Sequence, residues 1–183
     1  TSSPQSAAAA GDAAADGAAA RLAYASRQGS ARGRGVDRNG GSEASEAAVE
    51  RGLAWLARHQ AVDGSWRFDL SGCQCDGGCS FPGTVTSTTA ATGIALLPFL
   101  GAGSTHEQGT YRETVTRGLY YLMSRMQLSA RGGDLGEGTM YGHGVASLAL
   151  AEALGMTGDR MLQSYVRDAV RFIETAQDLH GGG

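Results

Sequence analysis

The chain has 183 residues and a net charge of −3, and all fifteen of its basic residues are arginine. Residues 46–183 carry ten arginines against fourteen acidic residues, so the sequence lacks the basic surface that a nucleic-acid partner requires. No run of about 18 apolar residues occurs, and we therefore expect no transmembrane segment within this chain.

Residues 1–45 are predicted to form a disordered linker. The first twenty residues are half alanine, and much of the remainder is serine, arginine and glycine. A segment of this composition buries too little apolar surface to offset its conformational entropy. A short alanine helix over residues 13–25 is the alternative, and Gly17 weakens it. The folded domain is accordingly expected at residues 46–183, as the N-terminal part of a repeat domain.

Three segments have the periodicity of amphipathic helices with one apolar face. The first covers about residues 45–58, with Ser45 as its predicted N-cap. The second follows Thr110-x-x-Glu113, which has the spacing of a capping box, and the third starts near Asp159. Because each segment keeps a polar face, each is predicted to lie in an outer layer of the domain.

Of two further segments, residues 141–154 are apolar on nearly all sides, and residues 86–100 have no polar face in their second half. A helix without a polar face must be covered by its neighbours, so both are predicted to be inner helices. Outer and inner helices therefore alternate along the chain, which predicts an all-α fold of two concentric helical layers. Strands are hardly expected, because the one β-branched run, residues 84–89, lies where a helix N-terminus needs hydroxyl caps.

A motif of Arg-Gly, an aromatic residue, Gln, Gly and Trp recurs along the chain. Its first and complete copy consists of Arg51, Gly52, Trp55, Gln60, Gly64 and Trp66. The second copy keeps Gly118 and Gln127, with one extra residue before the glutamine, and the third keeps Gln177. The copies are 66 and 51 residues apart, a period typical of repeat architectures. Because the third copy ends before its aromatic residue, we predict that the domain is truncated at Gly183.

This motif resembles the QW repeat of the squalene-hopene and oxidosqualene cyclases, also called the prenyltransferase and squalene oxidase repeat. The resemblance implies an α/α-toroid, in which outer helices surround an inner ring. It also implies a structural motif, with Gln60, Gln127 and Gln177 capping helix ends and Trp66 stacking. The chain supplies about two and a half helical hairpins. We therefore predict a partial toroid, which further sequence, an oligomer or a protein partner would complete.

The resemblance further implies a terpene-cyclase-like domain that binds an apolar polyprenyl or triterpenoid ligand in its inner ring. Enzymatic activity stays open, because the Asp-x-Asp-Asp acid element of squalene-hopene cyclases and the Asp-Cys-His zinc set of protein prenyltransferases are absent. An enzyme of this type would be an isomerase or lyase. The chain looks most like bacterial cyclase-repeat proteins of unassigned activity. The alternative function is a non-catalytic repeat scaffold or protein-binding module tethered by the linker.

The glycine-rich segment before the second inner helix carries the candidate site residues Asp134, Glu137, Tyr141 and His143. In a toroid such a segment opens onto the central cavity, where its acid and base groups could act on a ligand. A carboxyl group with a pKa raised by an apolar cavity would suit the protonation step of carbocation chemistry. The alternatives are a non-catalytic role in lining the cavity and simple capping of the helix that follows.

Cys73, Cys75 and Cys79 lie close together in the sequence, next to Asp76. Three thiolates and a fourth ligand could hold a zinc ion. In an exported protein, Cys79 would instead form a disulfide with Cys73 or Cys75, and three free thiols are the remaining alternative. The disulfide is favoured among the three.

Two expectations concern single histidines and the cell compartment. His59 and His106 are predicted to be surface residues, on a helix and in a loop. The chain does not begin with methionine and shows no signal-peptide pattern, so an anchor or signal would precede Thr1. A bacterial protein that is exported or membrane-tethered is favoured over a cytoplasmic one.

Overall fold

The computed structural model describes residues 22, 24–27, 29–75 and 78–177, which form six α-helices and one β-hairpin. The helices are α1 (Gly29–Arg38), α2 (Glu43–Arg58), α3 (Thr88–Gly101), α4 (Arg112–Arg125), α5 (Met140–Thr157) and α6 (Arg160–Ala176). A single turn of 3-10 helix, Ala25–Arg27, precedes α1. Of the described helices, none combines the length and the apolarity needed to cross a membrane. The all-α fold predicted from the sequence is confirmed.

Helices α3 and α5 form the inner layer, and α2, α4 and α6 pack outside them. The two inner helices approach so closely that a Cβ atom on Gly93 would lie 2.9 Å from the Cα atom of Ala146. Glycine permits this contact because it has no Cβ atom. The predicted alternation of outer and inner helices is therefore confirmed. The largest fully buried apolar side chains of the core include Leu96, Phe99, Leu100, Leu119, Leu122 and Leu150.

Two helix starts differ from the sequence prediction. The N-cap of α2 is Ser42, whose side chain accepts a hydrogen bond from the Ser45 N–H, while the Ser45 hydroxyl accepts one from the Ser42 N–H. Ser45 thus completes a capping box inside the helix and is not itself the N-cap. The N-cap of α4 is Tyr111, which makes no side-chain cap bond. The predicted capping box Thr110-x-x-Glu113 is therefore wrong, because its threonine lies one residue before the cap position.

A β-hairpin, β1 (Gln127–Ser129) and β2 (Gly132–Asp134), separates α4 from α5, although strands were hardly expected from the sequence. It belongs to the segment of residues 127–137, which we call the second repeat turn. Gly132 has a φ of 118°, and a Cβ atom there would lie 2.5 Å from the carbonyl oxygen of Asp168 in α6. The strand therefore depends on glycine and on packing against α6, neither of which a β-branched pattern reveals.

The part of the predicted linker that the structure describes is helical and makes contacts with the domain. The guanidinium group of Arg32 in α1 lies 2.7 Å from a carboxylate oxygen of Glu46 in α2. Arg27, before α1, lies 2.5 Å from a carboxylate oxygen of Glu152 in α5. These ion pairs order a segment whose composition alone predicts disorder. Residues 1–21 lie outside the described residues, and the predicted end of the linker stays a prediction.

Candidate functional site

The first repeat turn, residues 59–66, follows α2 and packs against the next outer helix, α4. The side-chain amide of Gln60 donates hydrogen bonds to the carbonyl oxygens of Gly64 and Thr114, at 3.0 and 2.9 Å. Its own side-chain carbonyl oxygen accepts a hydrogen bond from Arg117 of α4. Because Gln60 is fully buried, these bonds are shielded from water and connect two successive repeats.

Trp66 ends this turn between the outer and inner layers. Its indole N–H donates to the Leu56 carbonyl oxygen at 2.8 Å, and its backbone N–H donates to Thr92 Oγ1 at 3.0 Å. Its ring packs against Gly118 of α4, where an added Cβ atom would lie only 3.0 Å from the ring. Trp66 therefore contacts its own outer helix, the following inner helix and the next outer helix.

The remaining motif residues are used differently. Arg51 and Gly52 of the first copy are exposed, and a Cβ atom on Gly52 would meet no atom within 4 Å. Gln127 is exposed in β1, and Gln177 is exposed after α6. Neither glutamine side chain makes a hydrogen bond within the described part of the chain. The helix capping implied for Gln127 and Gln177 is therefore not found among these residues. Trp55, the aromatic residue of the first copy, is also largely at the surface, with 43% of its area exposed.

Glu137 caps the inner helix α3 from the loop that precedes α5. Its carboxylate accepts hydrogen bonds from the N–H and the hydroxyl of Thr88, both at 2.7 Å, and from the Thr89 N–H at 3.3 Å. These N–H groups belong to the first turn of α3, where a helix stabilises negative charge. This geometry fits the capping alternative for Glu137, although the helix that it caps is α3 and not α5.

The pKa of Glu137 is lowered from its ordinary value of 4.5. Partial burial acts in the opposite direction, but the hydrogen bonds that Thr88, Thr89 and Ser87 donate to the carboxylate outweigh it. Glu137 is therefore ionised at neutral pH. It is not the neutral carboxylic acid that the protonation step of carbocation chemistry would need.

His143 is fully buried at the start of α5, and backbone groups hold its ring. Its Nδ1 accepts a hydrogen bond from the Leu135 N–H at 3.1 Å, and its Nε2 lies 3.1 Å from the Ala169 carbonyl oxygen. We assign the proton to Nε2, because Nδ1 faces an N–H donor. Asp134 accepts a hydrogen bond from the Gly136 N–H at 2.6 Å, within the same loop. Both side chains thus hold the second repeat turn in place.

Among the four candidate residues, Tyr141 is the most open, with 69% of its surface exposed, and it lies on the wall of a cavity of about 520 Å³. The cavity lies at the N-terminal ends of α3 and α5 and is lined by Val85, Thr86, Ser87, Ala90, Arg125, Glu137, Thr139 and Tyr141. Thr139 N-caps α5 by accepting a hydrogen bond from the Gly142 N–H. Hydroxyl groups and the pairing of Arg125 with Glu137 at 3.9 Å make the wall partly polar.

Beside this cavity, each inner helix carries a row of exposed residues. The rows are Ile94, Pro98 and Gly101 on α3, and Tyr141, Gly144 and Leu148 on α5. Spacings of three and four residues place each row on one face of its helix. These two rows, which we call the inner face, are not covered by the described outer helices. The inner helices were predicted to be covered on all sides, and the inner face is where that prediction is wrong.

A second cluster lies at the C-terminal end of α2, where His59 meets Cys73, Cys75 and Cys79. Their ligand atoms all lie within 4.8 Å of one another. The Nε2 atom of His59 is 2.9 Å from Cys79 Sγ, and Cys73 Sγ is 2.8 Å from Cys75 Sγ. No disulfide joins these cysteines in the structure. His59 is only 6% exposed, so its prediction as a surface residue is wrong, and Asp76 lies outside the described residues.

The electrostatics of this cluster favour a cation. The hydrogen bond with Cys75, followed by burial, raises the pKa of the Cys79 thiol to about 12. Thiols packed this closely resist a second and third negative charge unless a positive ion lies among them. Three cysteines and one histidine form a donor set that could hold a metal ion.

Sequence reasoning missed the parts played by three residues in these sites. Arg117 directly precedes Gly118 of the second copy, and nothing in the sequence marks it as the partner of Gln60, which lies 57 residues away. His143 was considered as a base, and its position in an otherwise apolar helix was the signal for a buried, satisfied side chain. His59 could have been sought as a fourth ligand, because zinc sites combine cysteine and histidine from separate segments.

Residues 35–146 match the family model of the squalene-hopene cyclase C-terminal domain. The match covers more than half of the chain, from within α1 to the first part of α5. It includes the complete first repeat, the cysteine-containing loop and the segment with the four candidate residues. Comparisons with curated proteins and with solved structures gave no significant match.

Proposed function

The chain belongs to the squalene-hopene cyclase C-terminal domain family, and on this basis we propose that its inner face binds an isoprenoid chain. The observation that carries the proposal is the pair of exposed rows on α3 and α5, in which Ile94 and Leu148 are 38% and 48% exposed. Apolar side chains left exposed on two helices that pack together can mark a binding site. The apolar tail of a polyprenyl or triterpenoid ligand would cover it.

The cavity beside Tyr141 would receive one end of such a ligand. Its volume of about 520 Å³ is typical of small-molecule sites. The hydroxyl groups of Thr86, Ser87 and Tyr141 on its wall fit a polar end group, for example an alcohol. The apolar remainder of the ligand would then extend along the inner face, past Ile94 and Leu148.

We infer binding without turnover by these residues. Glu137 is ionised, and its carboxylate oxygens are occupied by the first turn of α3. His143 is fully buried, with both ring nitrogens facing backbone groups, and Asp134 binds within its own loop. This leaves Tyr141 as the candidate residue that a ligand can reach, without a second candidate group available to act with it. Squalene incubated with the protein is therefore expected to be recovered unchanged, and conversion of squalene would contradict this inference.

The test uses the two isoleucines of the chain, one on an inner helix and one on an outer helix. Ile94 belongs to the inner face, and Ile173 lies on the outer helix α6. In protein labelled at the isoleucine methyl groups, farnesol is expected to shift the NMR signal of Ile94 and to leave that of Ile173 unchanged. A straight-chain alcohol with the same number of carbon atoms serves as the control for unspecific apolar binding.

A pair of variants locates the binding surface. Leu148→Glu is expected to weaken farnesol binding by about tenfold or more, because it places a charge on the inner face. Val170→Glu is the matched control, since Val170 is 44% exposed on the outer helix α6 and should bind farnesol like the unchanged protein. Equal weakening by both variants, or equal binding of the straight-chain alcohol, would argue against an isoprenoid site. Absence of any farnesol-induced shift would favour the scaffold alternative.

A further inference from the structure

The longest connection in the described chain joins α2 to α3 and contains all three cysteines. It runs over residues 59–87 and has no helix or strand among its described residues. Connections longer than about 15 residues without secondary structure are uncommon in compact domains, so this one needs another source of order. Beyond the first repeat turn, its backbone is held by isolated contacts such as the Gly83 N–H bond to the Phe68 carbonyl oxygen at 2.7 Å.

We propose that His59, Cys73, Cys75 and Cys79 bind one zinc ion that orders this connection. Zinc in structural sites takes four ligands in a tetrahedron, at about 2.3 Å from sulfur and about 2.0 Å from nitrogen, so two ligand atoms of one ion lie about 3.5–3.8 Å apart. The four ligand atoms here lie within 4.8 Å of one another. The closest pairs, at 2.8 and 2.9 Å, would separate and the widest would approach by up to about 1 Å for one ion to bind all four, which small side-chain rotations in a loop can provide.

The position of His59 supports this proposal independently of the cysteines. Its Nδ1 lies 2.6 Å from the Trp55 carbonyl oxygen, one helical turn earlier in α2. Because a carbonyl oxygen only accepts, Nδ1 carries the proton and Nε2 presents its lone pair to the cluster. Histidine ligands of metals are commonly oriented by such a second hydrogen bond. The Trp55 ring also stacks on the imidazole at 3.7 Å, which fixes its plane.

The donor set determines both the ion and the role of the site. Sulfur and imidazole ligands select zinc over magnesium or calcium, which prefer oxygen. Four protein ligands leave no open coordination position, so the site is structural and does not activate water. Three thiolates and one zinc ion carry a net charge of −1, and Arg58 on the wall of the adjoining cavity of about 390 Å³ places a positive charge nearby.

The zinc site would also support the first repeat turn. His59 directly precedes Gln60, the residue that joins the two repeats. Gln74, which lies between Cys73 and Cys75, donates a hydrogen bond to the backbone carbonyl oxygen of Gln60 at 3.3 Å. A metal that holds the cysteine segment against the end of α2 therefore also holds Gln74 in place to donate its hydrogen bond to Gln60. Removal of zinc by a chelator is expected to lower the melting temperature of the domain.

The experiment measures the metal content of the full chain, purified with a reductant and supplied with zinc. We expect about one zinc ion per chain, as in structural sites of this donor set. Replacement of zinc by cobalt(II) should give the intense visible bands of a tetrahedral site together with thiolate-to-cobalt charge transfer. Cys79→Ser and His59→Ala should lose the zinc, and His59→Cys should keep it because four cysteines also form a structural zinc site. Ser80→Ala, next to Cys79 in the same loop, is the matched control and should bind zinc normally.

Several outcomes would overturn the proposal. Protein that contains no stoichiometric zinc, or whose mass is two daltons lower under non-reducing conditions because a disulfide has formed, would exclude the site. Iron in place of zinc would overturn the choice of ion. A His59→Ala protein that keeps its zinc and an unchanged cobalt spectrum would remove His59 from the ligand set. If a variant of a zinc ligand does not fold, the cobalt spectrum of the unchanged protein still tests the proposal. A spectrum without thiolate-to-cobalt charge transfer would show that the cysteines do not bind the metal.

Discussion

The first and second repeat turns approach the next outer helix in the same way but are fastened to it by different side chains. Gly64 and Gly132 have φ values of 89° and 118°, and a Cβ atom on either would lie 2.5 Å from a carbonyl oxygen of that helix. The polar links differ, since Gln60 binds α4 in the first turn and His143 binds α6 at the second. The repeat thus requires a close approach of backbones, whereas the side chain that secures the approach varies.

The first two copies also differ by one residue in the position of their glutamine. Gln60 follows Gly52 by eight residues, whereas Gln127 follows Gly118 by nine. A shift of one residue turns a helical side chain by about 100° and moves a strand side chain to the opposite face. Gln127 therefore points into solvent from β1, and a residue from the following inner helix, His143, supplies the hydrogen bond to the outer helix.

The largest effect is expected from Trp66→Ala, which removes the aromatic anchor of the first turn. Trp66 is 4% exposed and contacts three helices, so its loss should lower the free energy of unfolding by about 3 kcal/mol or more. Urea titration of both proteins measures the difference. Tyr120→Ala is the control, because Tyr120 is 57% exposed on α4 and its truncation should cost about 0.5 kcal/mol or less. Similar losses in the two variants would show that the first turn does not depend on its tryptophan.

Gln60, which links the first turn to α4 by hydrogen bonds, can be compared directly with Gln127, which makes no such link in the second turn. Gln60→Ala leaves the Thr114 carbonyl oxygen and the Arg117 guanidinium without their partner, and it should cost about 2 kcal/mol. Gln127→Ala, at the same motif position in the second copy, should change stability by about 0.5 kcal/mol or less because Gln127 is exposed. The same titration measures both variants, and equal costs would contradict the different use of the two glutamines.

Replacement of the two glycines of the Arg-Gly pairs by alanine should change the stability of the protein in opposite directions. A Cβ atom on Gly118 would lie 2.8 Å from a methyl carbon of Leu96 and 3.0 Å from the Trp66 ring. Gly118→Ala is therefore expected to destabilise the protein by about 1–2 kcal/mol through overpacking. A Cβ atom on Gly52 would have no neighbouring atom within 4 Å. Gly52→Ala should therefore stabilise α2 by about 0.5–1 kcal/mol, because alanine is the better helix former. Thermal unfolding of both variants gives the signs, and a stabilising Gly118→Ala would disprove the close contact.

The sequence predicts the helices well and the site contacts poorly, for a physical reason. Apolar periodicity records which face of a helix is buried, so α2 to α6 could be placed within a few residues and sorted into layers. The polar contacts join residues far apart in the chain, such as Glu137 with Thr88 at a separation of 49 residues and His143 with Ala169 at 26. Periodicity within one segment carries no information on such pairs. The candidate residues of the loop before α5 therefore had several open interpretations until the fold brought their partners together.

The smallest change in stability is expected from a substitution at the contact between the second turn and the inner helix α3. The first turn uses a neutral hydrogen bond, from the Trp66 N–H to Thr92 Oγ1, and the second uses the charged carboxylate of Glu137. Glu137→Gln keeps the size of the side chain and removes its charge. It should lower the free energy of unfolding by about 0.5–1 kcal/mol at neutral pH, as expected for a carboxylate at a helix N-terminus.

The difference in stability between the unchanged protein and Glu137→Gln should depend on pH. Because the folded-state pKa of Glu137 lies below its ordinary value of 4.5, the unfolded chain binds this proton more readily than the native state. The stabilisation is therefore fully present above the unfolded pKa and is lost as the pH falls through the lowered folded pKa. Urea titrations of both proteins from neutral pH down to about pH 3 measure this loss. A difference that stays constant over this range would mean that accepting hydrogen bonds, and not charge, fastens the second turn to α3, and both turns would then reach the inner helix by neutral bonds.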